Sequence, residues 1–231
     1  MRKLGLIGGM SWISTRTYYE TINRLIQRKV EPRASAPLII DSLDYREVSL
    51  PSDEAEWERA GEILSESGKR LRDAGAEGLL IGANVMHKVF DQVSDAVDIP
   101  VLHVADCVGE RMKAAEVTNA ALLGTKTIMT ESFFRSRLVS HGIDILPPDM
   151  DNIDALDRTI SEELKLGKVT RDAERLLKTI ITCHDQDGAK SIVLACTELE
   201  LVVDTDANVL PIYDASRIHC EAAVDWILGE G

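Results

Sequence analysis

Aromatic residues are scarce in this 231-residue chain: three Trp, four Tyr and three Phe, 4% in all. Aliphatic side chains dominate instead, the composition of parallel sheets covered by helices. Cysteine is also sparse. Cys107, Cys183, Cys196 and Cys220 show no C-x-x-C spacing, which excludes a zinc site or disulfide framework of recognisable pattern. Reduced thiols in a soluble cytoplasmic protein are the expectation. There is no basic block, and the net charge is −13, so neither nucleic acid nor an anionic membrane is an expected partner. No apolar run approaches a membrane span. The start, Met1 to Gly9, has a basic tip, but its apolar run is too short and Gly-broken for a signal peptide. G-x-G-x-x-G is missing, so no dinucleotide site is read. No low-complexity segment or linker interrupts the chain.

What is present is organised around Gly188–Glu200. Ile192 to Cys196 is a short apolar run after a glycine, the pattern of a buried parallel strand, and it ends in a thiol, a hydroxyl and a carboxylate: Cys196, Thr197, Glu198. Ligands of open α/β sheets lie beyond the carboxyl ends of the strands. The stretch has a twin 113 residues upstream, where Gly75-Ala76 matches Gly188-Ala189, Leu79–Gly82 matches Ile192–Ala195, and Ala83 falls on Cys196. Leu6–Gly9 resembles Leu122–Thr125 at an offset of 116, and Ile99–Val101 resembles Leu210–Ile212 at 111. Three matches in order imply two copies of one unit. The expected fold is therefore α/β, with two similar parallel-sheet lobes related by a pseudo-twofold axis. The active cleft would lie between them, Cys196 on one wall and Ala83 on the other. The expected domains are residues 1–117 plus 212–231, and 118–211.

Taken in order, strands are expected at 4–7, 37–40, up to 83, 100–104, 120–123, 143–146, 192–196 and 211–213. Ser11 or Ser14 is expected to cap the first helix, and Ser52 the second, which Gly75 stops. Helices are expected from the 80s into the 90s, from Asp106 to about Ala115, after Thr127 to about His141, over 152–166 and 170–187, briefly after Cys196, and over 215–228. Gly142 follows the His141 helix end.

The segments Leu6–Trp12, Ala83–Lys88, Ile99–Asp106, Leu122–Thr125, Glu162–Gly167 and Ala195–Glu198 together resemble the aspartate/glutamate racemase family, over nearly the whole chain. The resemblance implies two α/β lobes with a cleft, a homodimer, and a cofactor-independent reaction at the α-carbon of an acidic amino acid. It implies a catalytic Cys, or in some members Thr, at the end of each lobe's third strand, one removing the α-proton while the other delivers a proton to the opposite face. Cys196 stands at the second of these positions. Ala83 stands at the first, and a methyl group has neither a proton to exchange nor a lone pair. Val85 likewise replaces the threonine of the family's Asn-Thr pair.

The remaining candidates have two readings each. Asn84 and Thr197, matched across the repeat, hold a substrate carboxylate or cap helices; Thr125 and Thr127 carry the same pair of readings. Lys165 resembles the family's carboxylate-binding lysine, or is a solvated cation. Met10 and Ser11 offer backbone N–H groups set by the Gly8-Gly9 turn. Glu198 attracts an ammonium group or complements its helix start. His87 is an auxiliary acid or a packed helix residue, and His103 a strand residue. The turn after Cys196 is expected to favour its thiolate. Cys107, Cys183 and Cys220 are assigned to the core. No metal ligand set is read.

Three functions follow: a racemase or epimerase with Cys196 as the surviving acid/base; a single-cysteine decarboxylase of malonate-type substrates, as in the related arylmalonate decarboxylases; and a degenerate racemase that only binds acidic amino acids or dicarboxylates.

Overall fold

The computed structural model describes residues 1–48, 51–204 and 208–230. Contacts divide the chain into two compact units, Met1–His103 with His219–Gly231, and Val104–Ile218.

The first unit holds β1 (Leu4–Gly8), α1 (Trp12–Lys29), β2 (Leu38–Ser42), α2 (Glu54–Asp73), β3 (Gly78–Ile81), α3 (Phe90–Asp95) and β4 (Val101–Leu102). All four strands are parallel in the order β2-β1-β3-β4. Every residue of β1 and β3 is buried, because helices cover both faces. Side chains alternate along the strands. Leu4, Leu6 and Leu80 pack with Tyr18, Ile22 and Ile26 of α1, and with Ala223, Val224 and Ile227 of the last helix. Ile7, Leu79 and Ile81 pack on the other side with Trp57, Leu64 and Leu71 of α2 and Val93 of α3.

The second unit repeats the plan with α4 (Val104–Ala114), β5 (Asn119–Leu123), α5 (Lys126–Thr130), α6 (Ser132–Ser140), β6 (Asp144–Ile145), α7 (Ile153–Glu162), α8 (Arg171–Gln186), β7 (Ile192–Leu194) and β8 (Ile212–Asp214). Its order, β6-β5-β7-β8, is again parallel and topologically the same. Ala121, Leu123, Ile192 and Leu194 pack against α7 and α8 through Leu156, Ile160, Leu177 and Ile180. The last helix, α9 (Ala215–Leu228), begins in this unit and ends in the first.

Several boundaries differ from the sequence reading, each for a local reason. The units meet in sequence at His103/Val104 and Ile218/His219, not at 117/118 and 211/212. α4 is held to α6 instead, through Asp106, which takes 2.6 Å and 3.2 Å bonds from Arg137 and His141. The cap of α2 is Asp53, whose carboxylate accepts the Glu56 amide; Ser52 bonds the Glu56 side chain, closing a capping box in reverse. Ser11 rather than Ser14 caps α1. Extended backbone at Glu131 splits the helix expected before His141 into α5 and α6. The turns after Ala83 and Cys196 are 3-10, at Asn84–Val89 and Thr197–Leu201. His103 lies just past β4, not within a strand. Ser49 and Leu50, which precede the expected Ser52 cap, fall outside the described residues.

Candidate functional site

Strand order 2-1-3-4 places a topological switch between the two central strands, and ligands of such sheets bind at their carboxyl ends. In the first unit those ends lead into Gly8–Ser11 and Ala83–Val85. In the second they lead into Gly124–Thr127 and Cys196–Glu198. Of the twelve residues singled out from sequence, eleven lie on these segments or the turns that continue them. Lys165 comes from elsewhere, a 3-10 turn at Leu164–Leu166 closed by Gly167 at φ 72°.

The backbone around the two key positions is nearly superposable. Ala83 has φ −148° and ψ 118°, Cys196 φ −145° and ψ 125°, and each precedes its 3-10 turn. Gly82 N–H donates to Ile7 O at 2.8 Å, and Ala195 N–H to Leu123 O at 2.7 Å. Met86 N–H donates to Ala83 O and Leu199 N–H to Cys196 O, both at 3.1 Å. Only the side chain distinguishes them. Ala83 is half-buried; Cys196 is 7% exposed.

Cys196 Sγ donates to Glu198 Oε2 at 3.1 Å, and that carboxylate is itself buried. Burial, then the charge and hydrogen bond of Glu198, push the Cys196 thiol well up, while the Lys165 ammonium pulls it the other way. The expectation that this turn favours thiolate is therefore corrected. The turn is short, its N-cap side chain makes no capping bond, and the sulfur rests as a thiol beside a carboxylate.

Asn84 and Thr197 do not cap. Each is the first residue of its turn, and the N-cap positions belong to Ala83 and Cys196. Thr197 Oγ1 bonds Ser216 Oγ at 2.9 Å. Asn84 is 4% exposed, yet both its amide nitrogen and oxygen lack a partner; so does the hydroxyl of Thr125, 3% exposed at the head of α5. Buried polar atoms left this way cost about 1–3 kcal/mol each, and a bound water or a polar ligand is the ordinary reason to keep them. Thr127, two residues on, is half-buried. Met10 packs in the core, Val85 lies at its edge, and Ser11 is engaged as a cap. In the same turn the Gly9 N–H donates to Thr15 Oγ1 at 2.8 Å. Gly9 has φ 84°, and a Cβ there would collide with the Leu43 backbone, which explains the glycine.

His87 is 2% exposed and its Nδ1 donates to Ala83 O at 3.2 Å. Its ring lies 4.7 Å from His103 and 5.6 Å from His219. His219 is fixed between Tyr18 Oη (3.0 Å from Nδ1) and Leu102 O (3.1 Å from Nε2), and burial pushes its pKa down to about 4. Since a carbonyl only accepts, Nε2 carries the proton and Nδ1 receives the tyrosine hydroxyl. Among the described residues, no group of three or more His, Cys, Asp or Glu is arranged to hold a metal ion, and no helix is long and apolar enough to cross a membrane.

Comparison with known proteins agrees with this geometry. The model of the Asp/Glu/hydantoin racemase family matches residues 7–223. The chain belongs to that family. A crystal structure of an inferred Asp/Glu racemase from Yersinia pestis is 36% identical, covering 99% of this chain and 100% of that one, with a TM-score of 0.91. An aspartate racemase homologue from Pyrococcus horikoshii is 31% identical over 99% and 100%, with a TM-score of 0.87. The broad specificity amino-acid racemase RacX of Bacillus subtilis is 23% identical over 180 residues, 77% of this chain and 75% of RacX.

Sequence reading passed over Asp214, Glu200 and Ser216, which crowd behind Cys196. The signal was available in the repeat: extending the match of Ile99–Val101 with Leu210–Ile212 by two residues brings His103 onto Asp214.

Proposed function

We propose that this family member is a cofactor-independent racemase or epimerase acting at the α-carbon of aspartate, glutamate or a close dicarboxylate, with Cys196 as its sole thiol acid/base. The observation that carries the reading is the Cys196–Glu198 couple at the end of β7, set against the equivalent position of the other unit, where Ala83 has the same backbone and no proton carrier. Sγ–H gives its proton to the α-carbanion, whose electron pair is delocalised into the substrate carboxylate. The Lys165 ammonium offsets the charge left on sulfur, and in the reverse direction Glu198 takes the thiol proton so that sulfur can accept the α-proton. In the unit of Cys196 the Thr125 hydroxyl is a donor for a carboxylate group; in the other unit the Asn84 amide offers both a donor and an acceptor. Met10, Ser11, Val85, Thr127 and Thr197 shape the surrounding turns. Inversion is slow, because the second transfer has no side-chain carrier at Ala83. A homodimer in the cytoplasm is the working arrangement.

Incubation with each enantiomer of aspartate and glutamate in D2O tests this. The α-proton is expected to exchange faster than configuration inverts, and Cys196→Ala is expected to lower exchange by about a thousandfold or more. Exchange that survives Cys196→Ala would remove the thiol from the mechanism.

The resting thiol favours one second reading, decarboxylation of a malonate-type substrate. There the C–C bond breaks, carbon dioxide leaves, and the thiol protonates the enediolate, so no second carrier is needed. Carbon dioxide release from a malonate panel, absent with amino acids, would select it.

A further inference from the structure

The two units also match one layer behind Ala83 and Cys196. At the offset of 113 residues His87 corresponds to Glu200. Strand pairing fixes a second correspondence: Leu79 and Leu80 pair with Val101 and Leu102, as Ile192 and Val193 pair with Ile212 and Tyr213, so His103 stands where Asp214 stands. Both units therefore keep two titratable side chains in contact at the same two places. In the first they are imidazoles with ring centres 4.7 Å apart. In the second they are carboxyls hydrogen-bonded to each other.

The second pair is held firmly. Asp214, 7% exposed, accepts the Ser216 and Arg217 amides at 2.9 and 3.2 Å, where α9 begins. Those donors stabilise its charge, so a proton shared by the pair rests on Glu200. The Ser216–Thr197 hydroxyl bond ties this strand end to the turn that carries Cys196. Charges facing Glu200 come from Asp214, Glu198 and Arg217.

We propose that Glu200 and Asp214 hold one proton between them and act as positioning residues for Cys196: when Glu200 loses that proton, a further negative charge beside the Cys196–Glu198 couple holds the sulfur as a thiol. Burial first, then Asp214, moves Glu200 up to about 7, which puts the change near neutral pH. The consequence for catalysis rests on the reading of Cys196 as the proton carrier; the charge coupling itself does not.

The test follows iodoacetamide alkylation of Cys196, peptide by peptide, across pH in the wild type and Glu200→Gln, with the infrared absorption of protonated carboxyls at pH 6. The variant is expected to lose one carboxyl band, to alkylate Cys196 about tenfold faster at pH 8 as the thiol pKa falls, and to flatten the pH profile of α-proton exchange near 7. Glu200→Ala, checked for folding by its thermal melt, is expected to shift alkylation the same way. An unchanged band, or an alkylation profile that does not move in either variant, overturns the proposal. Should the wild type exchange no α-proton at all, the functional reading fails, while alkylation and infrared still decide the pair.

Discussion

The two units share strand order, backbone angles and turn hydrogen bonds, yet differ in the side chains at their strand ends. Position 83 has a methyl group where position 196 has a thiol. Asn84 has no partner where Thr197 bonds Ser216. Behind them stand imidazoles in one unit and carboxyls in the other. The fold tolerates these exchanges because the repeat is maintained by strand burial and main-chain bonds, neither of which involves the side chains at the strand ends. Chemistry and scaffold are thus separable within one chain.

Breaking the match at Asn84 and Thr197 should give the largest effect. Asn84→Ala is expected to weaken substrate binding about tenfold to a hundredfold, the loss of a hydrogen bond to a charged group. It should also leave the melting temperature of the free protein unchanged or raised, since a buried amide without partners is removed. Thr197→Val, by contrast, leaves Ser216 unpaired and should cost about 1 kcal/mol. Equal destabilisation by both would contradict the reading of Asn84 as a ligand group.

Acid should separate the units. Unfolded, His219 binds a proton below about 6.5; folded, only near 4, because burial disfavours the charge. Between those values the unfolded chain holds more protons, so stability falls as pH falls from 6.5 to 4, by about 3 kcal/mol in total. Glu200 has the opposite sign: its folded value of about 7 exceeds the ordinary 4.5, so its contribution is present at low pH and lost as pH rises through 7. Hydrogen exchange resolved by peptide should show the first unit loosening first at pH 5, and His219→Gln should remove that slope.

A smaller effect sharpens the comparison in the scaffold. Gly78, at the start of β3, corresponds to Ser191. A Cβ at Gly78 would meet the Trp226 ring at 2.6 Å, whereas buried Ser191 has room to donate to Asn119 O at 2.9 Å. Gly78→Ala should therefore cost about 1–3 kcal/mol in chemical denaturation, and Ser191→Ala about 1 kcal/mol for the lost bond.

Much of this was legible in the sequence, because apolar runs and glycine punctuation are strong signals for buried parallel strands, and two copies reinforce each other. The placement of Cys196 and Ala83 at equivalent strand ends was readable for the same reason. The state of the thiol was not. Its proton is held by Glu198, two residues on, and by burial, and short-range sequence gives the first but not the second. Asn84 read equally well as a cap until its orphaned amide was visible. The acid pair behind Cys196 joins residues fourteen apart through the end of β8, a contact that only strand register reveals. Helix starts slipped where several capping side chains stood together, as at Ser52-Asp53.

The most direct test of the central claim, that a second proton carrier is missing from an otherwise preserved position, is Ala83→Cys. The backbone there already matches that of Cys196, so the account predicts that inversion of aspartate or glutamate in D2O rises by about a hundredfold or more and approaches the rate of α-proton exchange. Exchange and inversion both left at wild-type rates in a folded Ala83→Cys protein would contradict it.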